Sequence, residues 1–93
     1  MSSFDAVAEP SRRELLDLLL AAPRPVLELA AAAGMSQPNT SRHLRILRDA
    51  GLVECRTAGQ RRIYAIRPEG FAELAGWLTP YALLWQRGHG PVT

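Results

Sequence analysis

The chain has 93 residues, of which 47% are hydrophobic and 22% are charged, and its formal net charge is +2. This length predicts one small domain, residues 1–93, whose limited core favours completion by a partner. No stretch approaches the ~20 apolar residues of a membrane span, and no basic-then-apolar segment at the N-terminus predicts export. We therefore expect a cytoplasmic protein with no membrane partner. The single cysteine, Cys55, excludes an internal disulfide.

The N-terminal third predicts scaffold helices. Residues 4–8 suit one helical turn, and residues 11–22 suit a helix with a broad apolar arc of leucines. Arg12 and Arg13 lie on the polar side of that helix, where solvation or an ion pair with a nearby acid is the expected role. The two prolines that follow end this helix and begin the next.

A short helix, a tight turn and a longer helix come next. The run VLELAAAA, residues 26–33, predicts the short helix, and a Gly-Met pair leaves the turn. Ser36 is a suitable N-cap for a helix over about residues 37–50, with Pro38 in its first turn and Gly51 after its end. This order is typical of a helix-turn-helix, whose second helix enters the major groove of DNA.

The second helix of this pair has an apolar and a polar side. Thr40 and two leucines recur at helical spacing, whereas Ser41, Arg42 and Arg45 face away from them and Arg48 lies at the edge. Taken alone, this pattern also fits an ordinary amphipathic surface helix with solvated arginines. The preceding short helix and the hairpin that follows favour DNA contact.

Two strand-like runs, VECRTA (residues 53–58) and RRIYAIR (residues 61–67), are separated by a Gly-Gln pair and predict a hairpin. Arg56, Arg61 and Arg62 cluster near its tip. A hairpin directly after a DNA-contacting helix is a wing, and arginines there suit phosphates and a narrow minor groove.

The arginines are unevenly distributed along the chain. Residues 36–67 contain seven arginines against two acids, a net charge of +5, whereas the remaining residues contain four arginines against seven acids, a net charge of −3. A concentration of positive charge on the helix and wing is expected of a nucleic-acid-binding protein.

The C-terminal segment, about residues 70–87, predicts a helix with a wide apolar face. Thr79 and Pro80 are expected to interrupt it with a kink and start a second short helix. So much apolar surface on a small domain predicts a homodimer interface, with capping of a monomer core as the alternative. The expected interface residues come from the first long helix and the terminal helix: Leu15, Leu19, Leu78, Tyr81 and Trp85.

Three segments together resemble the ArsR family of winged-helix repressors: EPSRRELLDLL, ELAAAAGMSQPNTSRHLRILRDAGLVE and GQRRIYAI. The resemblance covers nearly the whole chain, from Phe4 to Trp85, and is greatest to the autorepressor-like branch without metal sites. It implies a mainly α winged helix-turn-helix fold with about five helices, a two-stranded antiparallel wing and a terminal helix that pairs in a homodimer. It also implies a repressor that binds a palindromic operator in double-stranded DNA.

The metal ligands of many members of this family are not matched. The family's cysteine motif falls where this chain has Pro25 and Leu27, and the terminal helix region offers only Glu69, Glu73 and His89. That set is not a tetrahedral site, so we predict neither a metal nor a cofactor. The residues name no effector.

Roles within the DNA interface follow from position. Gln37, Asn39, Ser41 and Arg42 lie in the N-terminal half of the second helix and are expected at base edges, whereas Thr40 is expected to be partly buried. Ser36 is expected to cap the helix and can also touch a phosphate. The remaining predicted contacts are arginines of the helix, which are expected to bind the DNA backbone, and arginines of the wing: Arg45, Arg48, Arg56, Arg61 and Arg62.

Other functions are less consistent with the residues. A winged-helix protein-interaction module would favour a helix poor in basic residues, and a redox-responsive repressor would use Cys55 beside Arg56. No nucleophile, base and acid constellation, phosphate-binding glycine loop or clustered carboxylates predict an enzyme. His43, near the apolar side of its helix, is expected to be a hydrogen-bonded structural histidine.

Overall fold

A computed structural model of the protein describes residues 1–88. Within that range the chain forms α1 (Ser3–Val7), α2 (Pro10–Ala21), β1 (Arg24–Pro25), α3 (Val26–Ala33), α4 (Gln37–Asp49), β2 (Val53–Ala58), β3 (Arg61–Ile66), a 3-10 helix (Pro68–Phe71) and α5 (Ala72–Gly88). The predicted fold class is confirmed, because a helix-turn-helix is followed directly by an antiparallel hairpin in a mainly helical chain.

The hairpin belongs to a three-stranded antiparallel sheet rather than standing alone. Strand β3 lies between β1 and β2, and β1 places Arg24 opposite Tyr64 and Pro25 opposite Ile63. The sequence did not predict β1, since a two-residue segment that ends in Pro25 carries no strand pattern. Proline is nevertheless tolerated in a strand at the edge of a sheet, where β1 lies. This third strand attaches the segment before α3 to the wing.

Helix ends are satisfied largely as the sequence predicts. The Ser36 hydroxyl accepts a hydrogen bond from the backbone N–H of Asn39 at 3.2 Å, and Gly51, predicted to follow the end of α4, adopts the left-handed conformation with φ of 80°. Arg12 and Arg13 differ from expectation. Their guanidinium groups donate to the backbone carbonyls of Ala6 and Val7, at 2.6 and 2.7 Å, and so satisfy the C-terminal end of α1.

The protomer core lies where α2, α3, α4 and β2 meet. Its fully buried large side chains come from each of these elements and their connections: Leu15, Leu29, Thr40, Leu44, Leu47, Leu52 and Val53. Leu15 and Leu19 were expected at a dimer interface, and the structure corrects this placement. They are 0% and 3% exposed within the protomer, because α2 directs its leucine arc inward against α3 and α4.

Helix α5 continues through Thr79 and Pro80 as one element, contrary to the predicted restart. The Thr79 hydroxyl does not cap a new helix, because it donates to the carbonyl of Ala75 at 2.5 Å within the same helix. No residue of α5 is buried in the protomer. Neither α5 nor any other helix within residues 1–88 has the length and hydropathy needed to cross a membrane.

Gly70, in the 3-10 helix between the wing and α5, packs closely against the backbone of Gly51 and Leu52. A Cβ atom built on Gly70 would lie 1.9 Å from the carbonyl oxygen of Gly51 and 3.2 Å from Cα of Leu52. Nearby, the N–H of Arg67 donates to the Leu52 carbonyl at 2.9 Å. The 3-10 helix therefore packs backbone against backbone on the end of α4.

We expect Gly70→Ala to lower the free energy of unfolding by about 1–3 kcal/mol, because neither backbone can yield without moving α4 or the 3-10 helix. Urea unfolding followed by circular dichroism measures this loss. Gly88→Ala is the matched control, since a methyl group there meets open space. Equal stability of the two variants would contradict the close packing.

Candidate nucleic-acid interface

Helix α4 presents its polar side to solvent because its opposite side is fixed in the core. Leu44 and Leu47 are fully buried, whereas Ser41, Arg42 and Arg45 are exposed. The 3.6-residue period separates these two sets around the helix. The exposed side is the one predicted to contact DNA, and Ser36, Gln37 and Arg48 are also exposed there.

Thr40 does not belong to this exposed side. It is 0% exposed, and its hydroxyl donates to the carbonyl of Ser36 at 2.8 Å. The sequence predicted partial burial with access to DNA. The structure corrects this prediction, because the side chain is fully buried and its hydroxyl is hydrogen-bonded inside the first turn of α4.

Asn39 and Arg42 form a connected pair in the N-terminal half of α4. Nη2 of Arg42 donates to Oδ1 of Asn39 at 2.5 Å, and the Asn39 amide nitrogen lies 3.6 Å from the sulfur of Met35. Side chains three residues apart on a helix are neighbours, so this contact needs no distortion of α4. It holds an amide and a guanidinium together, two groups suited to the donor and acceptor pattern of base edges.

A groove of about 650 Å³ separates α4 from α3 and the wing. Six of the predicted contact residues line it: Gln37, Ser41, Arg45, Arg48, Arg61 and Arg62. The structure thus brings the two separate arginine-bearing segments to one surface. Arg56 is exposed on β2, opposite Ile63, and is not among the described residues that line this groove.

The wing tip also carries an ion pair that the sequence did not predict. Nη2 of Arg61 lies 3.2 Å from Oε2 of Glu28, a residue in the first turn of α3. The two residues are 33 positions apart, so no local pattern announces the contact. Glu28 is therefore a neighbour of the predicted DNA interface through tertiary structure alone.

Cys55 lies on the wing opposite Tyr64 and is only partly exposed. Interaction with the Cys55 side chain raises the pKa of the Arg62 guanidinium. Burial is the main cause of the raised pKa of Tyr64. Cys55 is therefore a residue of β2 that packs against the protomer core.

His43 faces α2 from the inner edge of α4. Its Nδ1 atom lies 3.4 Å from Nη1 of Arg12, and it is partly buried. Desolvation lowers the pKa of His43, and the positive charge of Arg12 lowers it further. A neutral ring joining α2 to α4 is consistent with the predicted structural role.

Metal-ligating side chains do not cluster in residues 1–88, where no group of three or more His, Cys, Asp or Glu could hold an ion. Glu73 instead accepts a hydrogen bond from the Ser3 hydroxyl at 3.0 Å. His89 lies outside the described residues.

A second surface lies on α5, remote from the groove in sequence. Its large apolar side chains are more than half exposed, at 52% for Leu78, 57% for Tyr81 and 61% for Trp85. Trp77 packs edge-on against Phe4 of α1, with ring centroids 5.8 Å apart. The three predicted α5 interface residues thus share an apolar surface that the protomer leaves open.

Known proteins resemble this chain in both sequence and fold. Residues 9–54 match the family model described as bacterial regulatory protein, arsR family. A helix-turn-helix-type transcriptional regulator of Mycobacterium tuberculosis is 40% identical over 77% of this chain and 67% of its own length. The transcriptional repressor SdpR of Bacillus subtilis is 29% identical over 81% of this chain and 83% of its own length.

A solution structure provides the corresponding comparison of folds. It is the homodimeric winged helix-turn-helix DNA-binding domain of a possible ArsR-family regulator from Mycobacterium bovis, with a TM-score of 0.74 and 34% identity. The match covers 96% of this chain and 82% of that one. Three curated relatives are matched over 57% to 67% of their own lengths.

The segment matched by the family model includes the whole helix-turn-helix. The relatives share sequence identity with this chain as well as its fold. The chain therefore belongs to the arsR family of bacterial regulatory proteins and is a winged helix-turn-helix transcription regulator, not an enzyme.

Proposed function

We propose that the protein is a cytoplasmic transcriptional repressor that binds a palindromic operator as a homodimer. In each protomer α4 enters the major groove and the wing lies on the flanking backbone or minor groove. The whole of residues 1–93 forms one DNA-binding domain. The observation that carries this proposal is the convergence of α4 and wing arginines on one groove.

Two kinds of contact are expected across this surface. Arg42 and Asn39 project from the first half of α4, the part of a recognition helix that meets base edges. Arg45 and Arg48 lie further along α4 and face the wing across the groove, where phosphate contacts are expected. Base contacts would supply sequence preference, and phosphate contacts would supply affinity and register.

The proposed dimer is supported by the apolar surface of α5. Leu78, Tyr81 and Trp85 are spaced so that they lie on one side of α5, and they are exposed in the protomer. The solved Mycobacterium bovis relative is a homodimer. A symmetric pair of winged domains would present two α4 helices to two half-sites about one turn of DNA apart, which makes a palindrome the matching operator.

Repression is the direction of regulation that the relatives favour, since the Bacillus subtilis relative is named a repressor. Selection of bound sequences from a random DNA pool with the purified protein tests the proposal as a whole. Enrichment of a two-fold symmetric motif is the expected result. A pool that yields no motif would contradict sequence-specific binding.

We expect Arg42→Ala to weaken binding to the selected operator by about 1–3 kcal/mol and to relax the preference for one base pair, because a guanidinium contact to a base edge is lost. Fluorescence anisotropy with operator and random-sequence duplexes measures both effects. An equal loss on the two duplexes would show that Arg42 does not contact a base.

We expect Arg45→Gln to weaken binding to both duplexes and to reduce the slope of log K against log salt concentration by about 0.9 per protomer, or about 1.8 per dimer, the value for one phosphate contact in each protomer. Arg87→Gln on α5 removes the same charge outside the groove and is the matched control. A slope that stays at the wild-type value in Arg45→Gln would exclude a phosphate contact by this residue.

We expect Leu78→Glu to dissociate the dimer, because a carboxylate cannot be buried at an apolar interface without a partner. Operator affinity should then fall, since the half-sites are bound separately. Sedimentation velocity measures the change. Leu83→Glu is the control, because Leu83 is similarly exposed at 53% but lies about 140° from Leu78 around the helix. A Leu78→Glu protein that remains dimeric would exclude this surface.

A further inference from the structure

One acidic side chain lies among the arginines of the DNA-facing groove. Among the described residues that line the groove, Glu28 is the single acid. Four arginines line the same groove: Arg45, Arg48, Arg61 and Arg62. A carboxylate facing the expected path of DNA phosphates opposes binding by repulsion. Its presence in an otherwise basic groove therefore needs a reason.

The geometry gives Glu28 a defined partner. Its Oε2 atom lies 3.2 Å from Nη2 of Arg61, and the contact joins the first turn of α3 to the start of β3 at the wing tip. The N-cap residue of α3, Pro25, makes no side-chain capping bond, so an acid in this turn also suits the positive end of the helix. The first turn of α3 thus places Glu28 on the rim of the groove.

The pair is weak enough to be exchanged for DNA. The side chains of Arg61 and Glu28 are 62% and 56% exposed, and water and salt screen an ion pair at such positions. A DNA phosphate can accept from the same guanidinium. Arg61 therefore has two alternative anionic partners, one within the protein and one on the DNA.

We propose that Glu28 is an affinity-determining residue that competes with DNA phosphate for Arg61. This inference rests on the proposed DNA-binding function. While the pair is intact, the wing contributes one phosphate contact fewer to DNA of any sequence. A phosphate contact by Arg61 would require it to leave Glu28 and would place the freed carboxylate beside the DNA backbone, so in the wild-type complex Arg61 stays paired with Glu28. The pair lowers sequence-independent affinity and leaves the base contacts of α4 unaltered.

Glu28→Gln tests the proposal, because it removes the charge and keeps the side-chain shape. On a random-sequence duplex we expect tighter binding than wild type and a slope of log K against log salt that is steeper by about 0.9 per protomer, or about 1.8 per dimer, as for one added phosphate contact in each protomer. Glu54→Gln is the matched control, since it neutralises an exposed acid on β2 that does not line the groove.

The double variant Glu28→Gln with Arg61→Gln identifies the mechanism. We expect it to return to the wild-type slope, and Arg61→Gln alone to change the slope less than it does in the Glu28→Gln background. Thermal unfolding should be similar for all variants, because both side chains are exposed.

Three outcomes would overturn the proposal. Glu28→Gln could bind no more tightly than Glu54→Gln, it could bind more weakly than wild type, or its gain could persist without Arg61. If the wild-type protein binds DNA normally in these cases, only the role of Glu28 fails. Absence of wild-type binding to both random and operator duplexes would overturn the proposed function as well.

Discussion

The burial of one side of α4 is the constraint on which the DNA-facing surface depends. Leu44 and Leu47 are fully buried, as is Thr40 in the turn before them. Fixing these positions fixes the rotation of the helix about its axis, so Ser41 and Arg42 have to face solvent. Burial of each leucine contributes about 1.5–3 kcal/mol, which makes this orientation a consequence of folding rather than of binding.

Backbone hydrogen bonds attach the wing to the elements on either side of it. Strand β3 pairs on both edges, with β1 and with β2, and the N–H of Arg67 donates to the carbonyl of Leu52 just beyond α4. Gly70 then packs against the same short connection. Because α4 and both edges of β3 are attached to one another, the arginines of helix and wing face a common groove.

Helix α1 packs against the N-terminal half of α5. Ser3 donates to Glu73, and Phe4 packs against Trp77, so the N-terminal half of α5 is attached to the body of the protomer. No residue of α5 is buried, which leaves its apolar side chains as a separate surface. Core packing and the α5 surface therefore draw on different leucines, and Leu15 and Leu19 serve the core.

The sequence by itself determined the order of the main helices and the hairpin, the Ser36 cap and the left-handed Gly51 at the two ends of α4, and the polar side of α4. These features depend on spacing and on residues within one or two turns, so they can be predicted without the fold. The incorrect predictions share one cause, which is their dependence on tertiary contacts. The burial of Leu15 and Thr40 and the course of α5 past Pro80 depend on which neighbours cover a side chain and on which hydrogen bonds the backbone finds.

Only the tertiary structure decided which distant residues meet. The pairing of Arg24 with Tyr64 in the sheet and the contact of Glu28 with Arg61 join positions more than 30 residues apart. No periodicity in the sequence encodes such contacts, because each arises when α3 and the wing are packed on the same core. The sequence predicted the arginines that line the groove as DNA contacts, but the acid placed among them depended on the fold.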